Sequence, residues 1–308
     1  MLTMKKILVA GSSNMDFVLR VADTPRKGET IHSKSFAKLP GGKGANQACA
    51  CGKLGGDCVF LSVVGRDGLG DVLLDSLRHA NVDVSKVLMQ EKEPTGMAII
   101  TVADDGDNSI VIVPGANGLC GMDYFQANIE SLQEADFVMV QLETPAEDIY
   151  RLLDLAKKTG KVTVLNPAPA PDCIADAVLR DLDYITPNET ELEKLTGMPT
   201  DTVEQIAAAA GQLRGRGVRN VLVTMGARGA LLCSESGTEI YPTIKVRPVD
   251  TTAAGDTFNA GFVVGLADGR TVAEAIRFAD TAASISITRP GAQPSIPSRA
   301  EVEQFING

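Results

Sequence analysis

Residues 135–166 read ADFVMVQLETPAEDIYRLLDLAKKTGKVTVLN, which places two short apolar runs on either side of a longer segment. The runs at 135–142 and 161–166 are rich in β-branched residues, as buried strands are. The segment 145–160 between them carries its apolar residues at helical spacing. This order predicts two parallel strands joined by a crossover helix.

The same alternation of strands and helices extends along most of the chain. Further strand-like runs lie at residues 5–11, 57–65, 182–186 and 219–224, and a second long helical segment lies at 201–217. Alternation of this kind indicates a mainly parallel sheet with helices on both faces. The predicted fold is therefore a doubly wound α/β fold, and 308 residues, 44% of them hydrophobic, suffice for one large domain.

Two segments interrupt the alternation and predict a second, smaller sheet. Residues 16–40 alternate roughly and carry turn residues but no helix, while residues 96–113 contain two apolar strands around the turn DDGD. An apolar sheet that stands off the main body needs cover from a substrate cleft or from a second subunit. We therefore predict a single domain over residues 1–308, with a small β-sheet lid inserted from about 16–40 and 96–113. A homodimer is expected to form through that lid.

Composition argues against several classes of protein. The net charge of −10, from 29 basic and 39 acidic residues, is unfavourable for non-specific nucleic-acid binding. No apolar run approaches the roughly 18 to 20 residues needed to span a membrane, so a soluble cytoplasmic protein is expected. Six cysteines without a CxxC pair, and only two histidines, indicate free thiols in a reducing compartment rather than a zinc site.

Residues 250–261, DTTAAGDTFNAG, place Asp256 directly after three small residues and at the start of a helical pattern. A helix that begins near Ala254 points its first amides into the space beside Asp256, where its dipole favours an anion. An anion hole beside a carboxylate suits phosphoryl transfer to a hydroxyl, because the carboxylate deprotonates the hydroxyl while the amides hold the moving charge. From the residues alone, an acid that simply caps the helix explains the pattern equally well.

Three other motifs are ambiguous when each is taken alone. Residues 39–56, LPGGKGANQACACGKLGG, could cradle phosphate, but the P-loop pattern GxxxxGK[ST] occurs nowhere and a tight turn is the simpler interpretation. Residues 186–197, TPNETELEKLTG, fit a capping box, or two side chains that reach a Mg²⁺–phosphate assembly through water. Residues 224–232, TMGARGALL, indicate a turn between two strands.

Taken together, the motifs resemble the ribokinase-like carbohydrate kinase family from end to end. Seven of them appear in family order: GSSNMD (11–16), PGGKGANQA (40–48), QLETP (141–145), NETE (188–191), TMGARG (224–229), DTTAAGDTF (250–258) and GAQPS (291–295). The resemblance implies a doubly wound α/β body with a small β lid. It also implies transfer of a phosphoryl group from ATP to the 5-hydroxyl of D-ribose.

The resemblance further implies roles for individual residues. Asp256 would be the catalytic base, and the backbone at Ala254 and Gly255 would complete the anion hole. The sugar would contact Asn14, Asp16, Gly42, Lys43, Asn46, Glu143 and Asp256. The nucleotide would contact Asn188, Thr224, Gly226, Gly229 and Gly255, while Glu191 would join the Mg²⁺ network. Asp280 stands in the nucleotide pocket at a position that often holds Asn or His. A monovalent cation, normally K⁺, is implied at Asp250, Thr252, Ser286, Arg289, Gly291 and Ser295, partly through backbone carbonyls.

The nearest alternative is another kinase on the same fold, acting on fructose, deoxyribose, inosine, adenosine or a deoxy-sugar acid. Asn14, Asp16 and Glu143 favour a neutral polyol, since two carboxylates would repel an acid sugar. An aromatic content of 4% without Trp gives little surface for a nucleoside base. A non-catalytic sugar-binding protein would be indicated by loss of Asp256, which is present. A nicotinamide-dependent dehydrogenase would need GxGxxG after its first strand, where this chain has GSSNMD.

Overall fold

A computed structural model describes residues 5–307 of the chain, which form fourteen strands and eleven α-helices. The strands are β1 (Lys6–Ala10), β2 (Asn14–Arg20), β3 (Ser35–Gly41), β4 (Asp57–Leu61), β5 (Val63–Gly65), β6 (Leu88–Gln90), β7 (Gly96–Val102), β8 (Asn108–Val113), β9 (Phe137–Val140), β10 (Val162–Leu165), β11 (Tyr184–Ile185), β12 (Asn220–Thr224), β13 (Ala230–Ser234) and β14 (Gly237–Tyr241). The α-helices are α1 (Lys43–Lys53), α2 (Leu69–His79), α3 (Met122–Ala127), α4 (Ile129–Glu134), α5 (Ala146–Lys158), α6 (Asp176–Arg180), α7 (Glu189–Thr196), α8 (Val203–Gly215), α9 (Ala254–Ala267), α10 (Val272–Ser286) and α11 (Arg299–Asn307). Short 3₁₀ turns lie at Gly115–Leu119, Gly226–Arg228 and Gln293–Ser295.

Eight strands form the large sheet, in the order β14–β13–β12–β11–β10–β9–β1–β4. The six strands from β12 to β4 run parallel to one another, and β13 and β14 extend one edge in antiparallel fashion. Strands β9 and β10 with α5 between them form the crossover unit predicted from residues 135–166. The chain proceeds outward from β1 to β4 on one side and from β9 to β12 on the other. Ligands of doubly wound sheets bind at the carboxyl ends of the strands where the order reverses in this way.

The parallel strands are buried on both faces because their side chains alternate between two apolar clusters. Ile7 and Val9 pack into one cluster with α1, α2, α9 and α10. Leu8 and Ala10 point the opposite way, into a second cluster with the helices from α3 to α8. Helices therefore cover both faces of the sheet, and the predicted α/β class is confirmed.

A separate four-stranded sheet, β3–β2–β7–β8, stands beside the large one. Its strands come almost entirely from the two segments that were predicted to break the α/β alternation. The prediction placed the first segment two residues too late, however, because β2 begins at Asn14. Since β2 begins at Asn14 and β3 ends at Gly41, this sheet carries the candidate sugar residues Asn14 and Asp16 and ends next to Gly42. Its role as a lid and the extent of the domain stay predictions.

The predicted strand at 57–65 is wrong in one respect. It is interrupted at Ser62, whose N–H donates to the Tyr124 hydroxyl at 3.0 Å. The chain then leaves the large sheet, and β5 pairs with β6 in a two-stranded sheet of its own. The hydroxyl that binds Ser62 comes from a distant helix, so no local sequence pattern indicates this contact.

All six cysteines are free thiols, five of them buried. Of the helices within residues 5–307, none has both the length and the apolar character required to cross a bilayer.

Candidate active site

A cleft of about 190 Å³ opens at the carboxyl ends of the parallel strands, beside the N-terminus of α9. Its walls bring together side chains from α1, from the loops after β10 and β11, and from α9. Seven of the thirteen residues that line the cleft are predicted site residues: Lys43, Asn188, Glu191, Thr224, Ala254, Gly255 and Asp256. The fold therefore gathers at one place motifs that lie more than 200 residues apart in the chain.

Asp256 lies in the first turn of α9 and is 8% exposed. Its carboxylate does not cap the helix, because the N-cap is Ala253 and no side-chain cap bond forms there. Instead, Oδ2 accepts a hydrogen bond from Asn46 Nδ2 at 3.0 Å, and Oδ1 accepts one from Gln47 Nε2 at 3.0 Å. Side chains of α1 therefore hold the carboxylate in the cleft, as a catalytic group requires, and the carboxylate does not cap α9.

The first amides of α9 are only partly available as an anion hole. The N–H groups of Gly255 and Asp256 have no acceptor among the residues described. The N–H of Ala254, however, donates to the carbonyl of Thr251 at 3.2 Å. Of the two predicted amides, Gly255 is therefore open in this conformation and Ala254 is engaged.

Asp256 and Lys43 each influence the pKa of the other across the cleft. Burial raises the pKa of Asp256, while the nearby Lys43 and the amides of Asn46 and Gln47 oppose that rise. For Lys43, burial alone would lower the pKa, but the carboxylates of Asp256 and Glu143 outweigh it and the net pKa is raised. A protonated lysine beside the carboxylate favours its ionised form, which is the form a general base requires.

Of the candidate sugar residues, Lys43 and Asp256 line the cleft, while Asn14 and Asp16 lie on β2 of the small sheet. The Glu143 carboxylate accepts hydrogen bonds from Ser12 Oγ at 2.6 Å and from the N–H of Lys43 at 3.0 Å. It thereby ties the end of β1 to the start of α1. Burial, with the charges of Glu143 and Asp256, raises the pKa of Asp16 to about 7. Asn14 is buried, and its Oδ1 accepts a hydrogen bond from Asn117 Nδ2 at 2.7 Å.

Gly42 allows the backbone to turn tightly at this junction. Its φ of +89° lies in a region that L-residues rarely adopt. A Cβ at this position would lie 2.7 Å from the backbone nitrogen of Asn14. The glycine therefore brings the start of α1 against the strand that carries Asn14.

Of the candidate nucleotide residues, Asn188, Thr224 and Gly255 line the cleft, whereas Gly226 and Gly229 do not. Asn188 and Glu191 form the capping box of α7, with reciprocal bonds of 2.8 and 2.9 Å, and both also line the cleft. Thr224 bridges to Asn188. Gly226 and Gly229 flank the turn between the antiparallel strands β12 and β13, as the sequence indicated.

Asp280 lies apart from this cleft, on α10. Its Oδ2 accepts the N–H of Ile244 at 3.1 Å, and burial raises its pKa. The carboxylate therefore braces the segment after β14, and in this conformation it does not line the cleft that contains Asp256.

The candidate cation residues lie in two adjoining loops at the start of α9 and the end of α10. Asp250 accepts three hydrogen bonds, two from Thr252 and one of 2.8 Å from the N–H of Gly291. The hydroxyls of Ser286 and Ser295 donate to the carbonyls of Ala283 and Ala292, each at 2.8 Å. The side chain of Arg289 turns away to Glu301 at 2.6 Å, so Arg289 could contribute only backbone atoms.

Four further residues form part of the site, although no role was predicted for them from the sequence: Gln47, Gln141, Asn166 and Asn117. Gln47 and Gln141 lie inside motifs that were quoted for other residues, and Asn166 directly follows a predicted strand. A polar residue at the carboxyl end of a parallel strand was a usable signal for Asn166. Asn117, in a 3₁₀ turn, offered no comparable signal.

Comparisons with known proteins identify the family of the chain. The model of the pfkB family carbohydrate kinases matches residues 4–299. A ribokinase of Haemophilus influenzae is 39% identical over 302 residues, covering 98% of each chain. A deoxyribokinase of Salmonella typhi is 36% identical over 301 residues, again covering 98% of each chain.

Solved structures show the same likeness in three dimensions. The Arabidopsis thaliana ribokinase complexed with ribose and ATP is 36% identical and superposes with a TM-score of 0.93, covering 99% of this chain and all of that one. The resemblance inferred from the seven motifs is thereby confirmed. With a buried carboxylate at a helix N-terminus, and with a family match over nearly its whole length, this chain belongs to the pfkB family of carbohydrate kinases.

Proposed function

We propose that this chain phosphorylates D-ribose at its 5-hydroxyl with ATP as the phosphoryl donor. The observation that carries the proposal is the position of Asp256, a buried carboxylate held by two side-chain amides in the cleft that Gly255, with its open N–H, also lines. Relatives that are 36 to 39% identical to this chain include ribokinases, and the structure of one of them is known with ribose and ATP.

The chemistry follows from what each group can donate or accept. Asp256 accepts the proton of the attacking hydroxyl and aims its oxygen at the phosphorus. The N–H of Gly255 and the ammonium of Lys43 stabilise the negative charge on the phosphoryl group during transfer. Asn14, Asp16 and Glu143 supply donors and acceptors for the remaining hydroxyls, and a sugar that leaves one of these buried groups unpaired is rejected.

Mg²⁺ fits the acidic side of the cleft as a partner of the nucleotide. Within residues 5–307 there is no group of three His, Cys, Asp or Glu side chains that could hold a metal ion alone. Mg²⁺ typically keeps several waters and binds through substrate phosphates and one or two protein oxygens. Glu191 and Asn188, which line the cleft, are the residues that would hold it. The ion would neutralise charge on the phosphates.

A K⁺ ion fits the two loops around Asp250, because their side chains and carbonyls offer oxygen atoms and a single carboxylate. Carbonyl oxygens of this kind replace the hydration shell of K⁺. The ion would stabilise the 250–256 loop, which ends at the anion hole. Asp250, Thr252, Ser286, Gly291 and Ser295, with the backbone of Arg289, would hold it.

We expect turnover to be several-fold higher in K⁺ than in Na⁺ or Tris buffer at equal ionic strength. The reason is that the 250–256 segment carries both Asp256 and the N–H of Gly255. An ion that orders this segment should therefore speed the chemical step. Steady-state rates with saturating sugar and ATP measure the effect. Equal rates in the three buffers would rule out a functional K⁺ site.

The small sheet is proposed as a lid over the sugar and as the surface of a homodimer. Two large apolar side chains on one face of this sheet, Phe36 and Val111, are 54 and 63% exposed, and Ile99 on the same face is 38% exposed. A contiguous apolar face on a sheet is typical of an interface between proteins.

The six free thiols fit a cytoplasmic location, where disulfides are rare.

Val111→Glu should convert the dimer to a monomer, because it places a charge on the apolar face. Light scattering coupled to size exclusion measures the mass of the particle. Ile240→Glu is the matched control, since Ile240 is equally apolar and exposed but lies on β14 of the large sheet. A wild-type monomer, or a Val111→Glu dimer, would contradict the proposal.

The decisive experiment measures ADP release with Mg²⁺ and K⁺ on D-ribose, 2-deoxyribose, fructose, adenosine, inosine and a 2-keto-3-deoxy sugar acid. We expect the highest kcat/KM on D-ribose. Deoxyribose is the second candidate, because a deoxyribokinase is among the relatives at 36% identity. Preference for any other acceptor would leave the family assignment intact but show that D-ribose is not the substrate. Silence across the panel by folded protein would favour a non-catalytic sugar-binding role.

A further inference from the structure

Gln47 is a fully buried side chain of α1, and both the nitrogen and the oxygen of its amide make hydrogen bonds. Its Nε2 donates to Asp256 Oδ1 and to Asn166 Oδ1, both at 3.0 Å. Its Oε1 accepts a hydrogen bond from Gln141 Nε2. A buried amide with all of these partners has one orientation, since rotation by 180° would place like atoms against each other.

The partners of Gln47 are fixed by the large sheet. Gln141 directly follows β9 and Asn166 directly follows β10, two neighbouring parallel strands. Asn166 is itself anchored, because its Nδ2 donates to the carbonyl of Thr186 at 3.0 Å. The sheet therefore sets the orientation of the Gln47 amide, and this amide in turn meets the carboxylate on α9.

We propose that Gln47 is a positioning residue for Asp256, which transmits the fixed geometry of the sheet edge to the catalytic carboxylate. The inference rests on the proposed role of Asp256 as the base. Asn46 holds the other carboxylate oxygen, so the plane of the carboxylate is defined by two adjacent residues of one helix. Each oxygen keeps a lone pair for the acceptor hydroxyl.

The Gln47 donor also favours the ionised carboxylate, because an N–H stabilises a negative charge. Four charged groups share this environment. Lys43 stabilises the charge of Asp256, whereas Glu143, Asp16 and Glu191 oppose it. Loss of the Gln47 donor shifts this balance toward the protonated acid, so the pKa of Asp256 is expected to rise.

The test is Gln47→Met, which keeps the length and most of the volume of the side chain but donates no hydrogen bond. We expect kcat to fall about 10- to 100-fold, a part of the 10²- to 10⁴-fold that a general base contributes. The acid limb of the kcat–pH profile should move up by about one pH unit, and the KM for each substrate should stay within about threefold. Gln47→Glu, which sets a like charge against Asp256, should lose more activity and shift the limb further.

Cys51→Ala is the control, because Cys51 is fully buried on the same helix and makes no contact with the carboxylate. It should lower the Tm yet leave the pH profile unchanged. If the Gln47→Met profile superimposes on the wild-type profile, or if its kcat falls no further than that of Cys51→Ala, the positioning role is wrong.

A second measurement separates this inference from the proposed function. Protein labelled with ¹³C at the aspartate carboxyl carbons reports the titration of Asp256 directly, its signal being identified by its loss in Asp256→Asn. A higher pKa in Gln47→Met supports the inference even if no sugar in the panel is phosphorylated. An unchanged titration overturns it even if the wild-type chain is an active ribokinase.

Discussion

Asp256→Asn is expected to fold like the wild type and to lose about 10²- to 10⁴-fold in kcat, the usual contribution of a general base. The amide is nearly isosteric with the carboxylate but cannot accept the proton of the attacking hydroxyl. One of the two donors, Asn46 or Gln47, will face an NH₂ group instead of an oxygen. That loss is offset in the folded state because a buried charge is removed as well.

In this variant the catalytic rate should therefore fall while the affinity for the sugar stays the same. Calorimetry with the sugar should give a Kd close to that of the wild type, while single-turnover rates collapse. The acid limb of the pH profile should also disappear, because it reflects the form of Asp256 that is lost as the pH falls through its raised pKa.

Glu143→Gln is the matched control, since it removes a carboxylate from the same region of the site. Its Oε2 accepts from Ser12 and from the Lys43 backbone, so the change should mainly raise the KM for the sugar. A near-native kcat in Asp256→Asn would show that another group accepts the proton.

Gly42→Ala should raise the KM for the sugar at least about tenfold and lower the Tm, because this backbone conformation costs a non-glycine residue on the order of 1–3 kcal/mol. The added Cβ would also lie 2.7 Å from the backbone nitrogen of Asn14 and 3.1 Å from the Cα of Ser13. Neither is the end of a flexible side chain, so the chain that carries Asn14 must move.

Gly211→Ala controls for the general effect of adding a methyl group. Gly211 lies within α8, and a Cβ there meets no heavy atom within 4 Å. Alanine should stabilise this helix by about 1 kcal/mol, because glycine is a poor helix former, and leave the kinetics unchanged. A Gly42→Ala enzyme with wild-type sugar KM would show that the loop adapts without disturbing Asn14.

The sequence carried the fold class because local patterns determine it. Valine-rich runs that alternate with amphipathic segments have few solutions other than a doubly wound sheet, and residues 135–166 contained one complete unit. The small sheet was predictable for the same reason, from the turn DDGD and the missing helix. The break at Ser62 was not, because the hydroxyl that binds Ser62 comes from Tyr124, 62 residues away.

The site was predictable only in part. Asp256 stood out through the small residues before it, and the motif order gave the family. The residues alone could not distinguish a capping acid from a catalytic one, since that depends on whether α1 or the local amides bind the carboxylate. The engaged amide of Ala254 depends on the conformation of the Thr251 loop, and the role of Gln47 depends on contacts across the whole fold.

The separation between Asp256 and its two amide partners has a consequence for biosynthesis. Asn46 and Gln47 precede Asp256 by 210 and 209 residues, so the carboxylate and its holders leave the ribosome far apart in time. A nascent chain that ends before α9 has all eight strands of the large sheet and the candidate sugar contacts of its N-terminal part, yet it lacks both the proposed base and the open amides. At synthesis rates of about 5–20 residues per second, α9 therefore follows Asn46 and Gln47 by at least about ten seconds. A chain that ends before α9 is accordingly expected to be unable to phosphorylate a sugar.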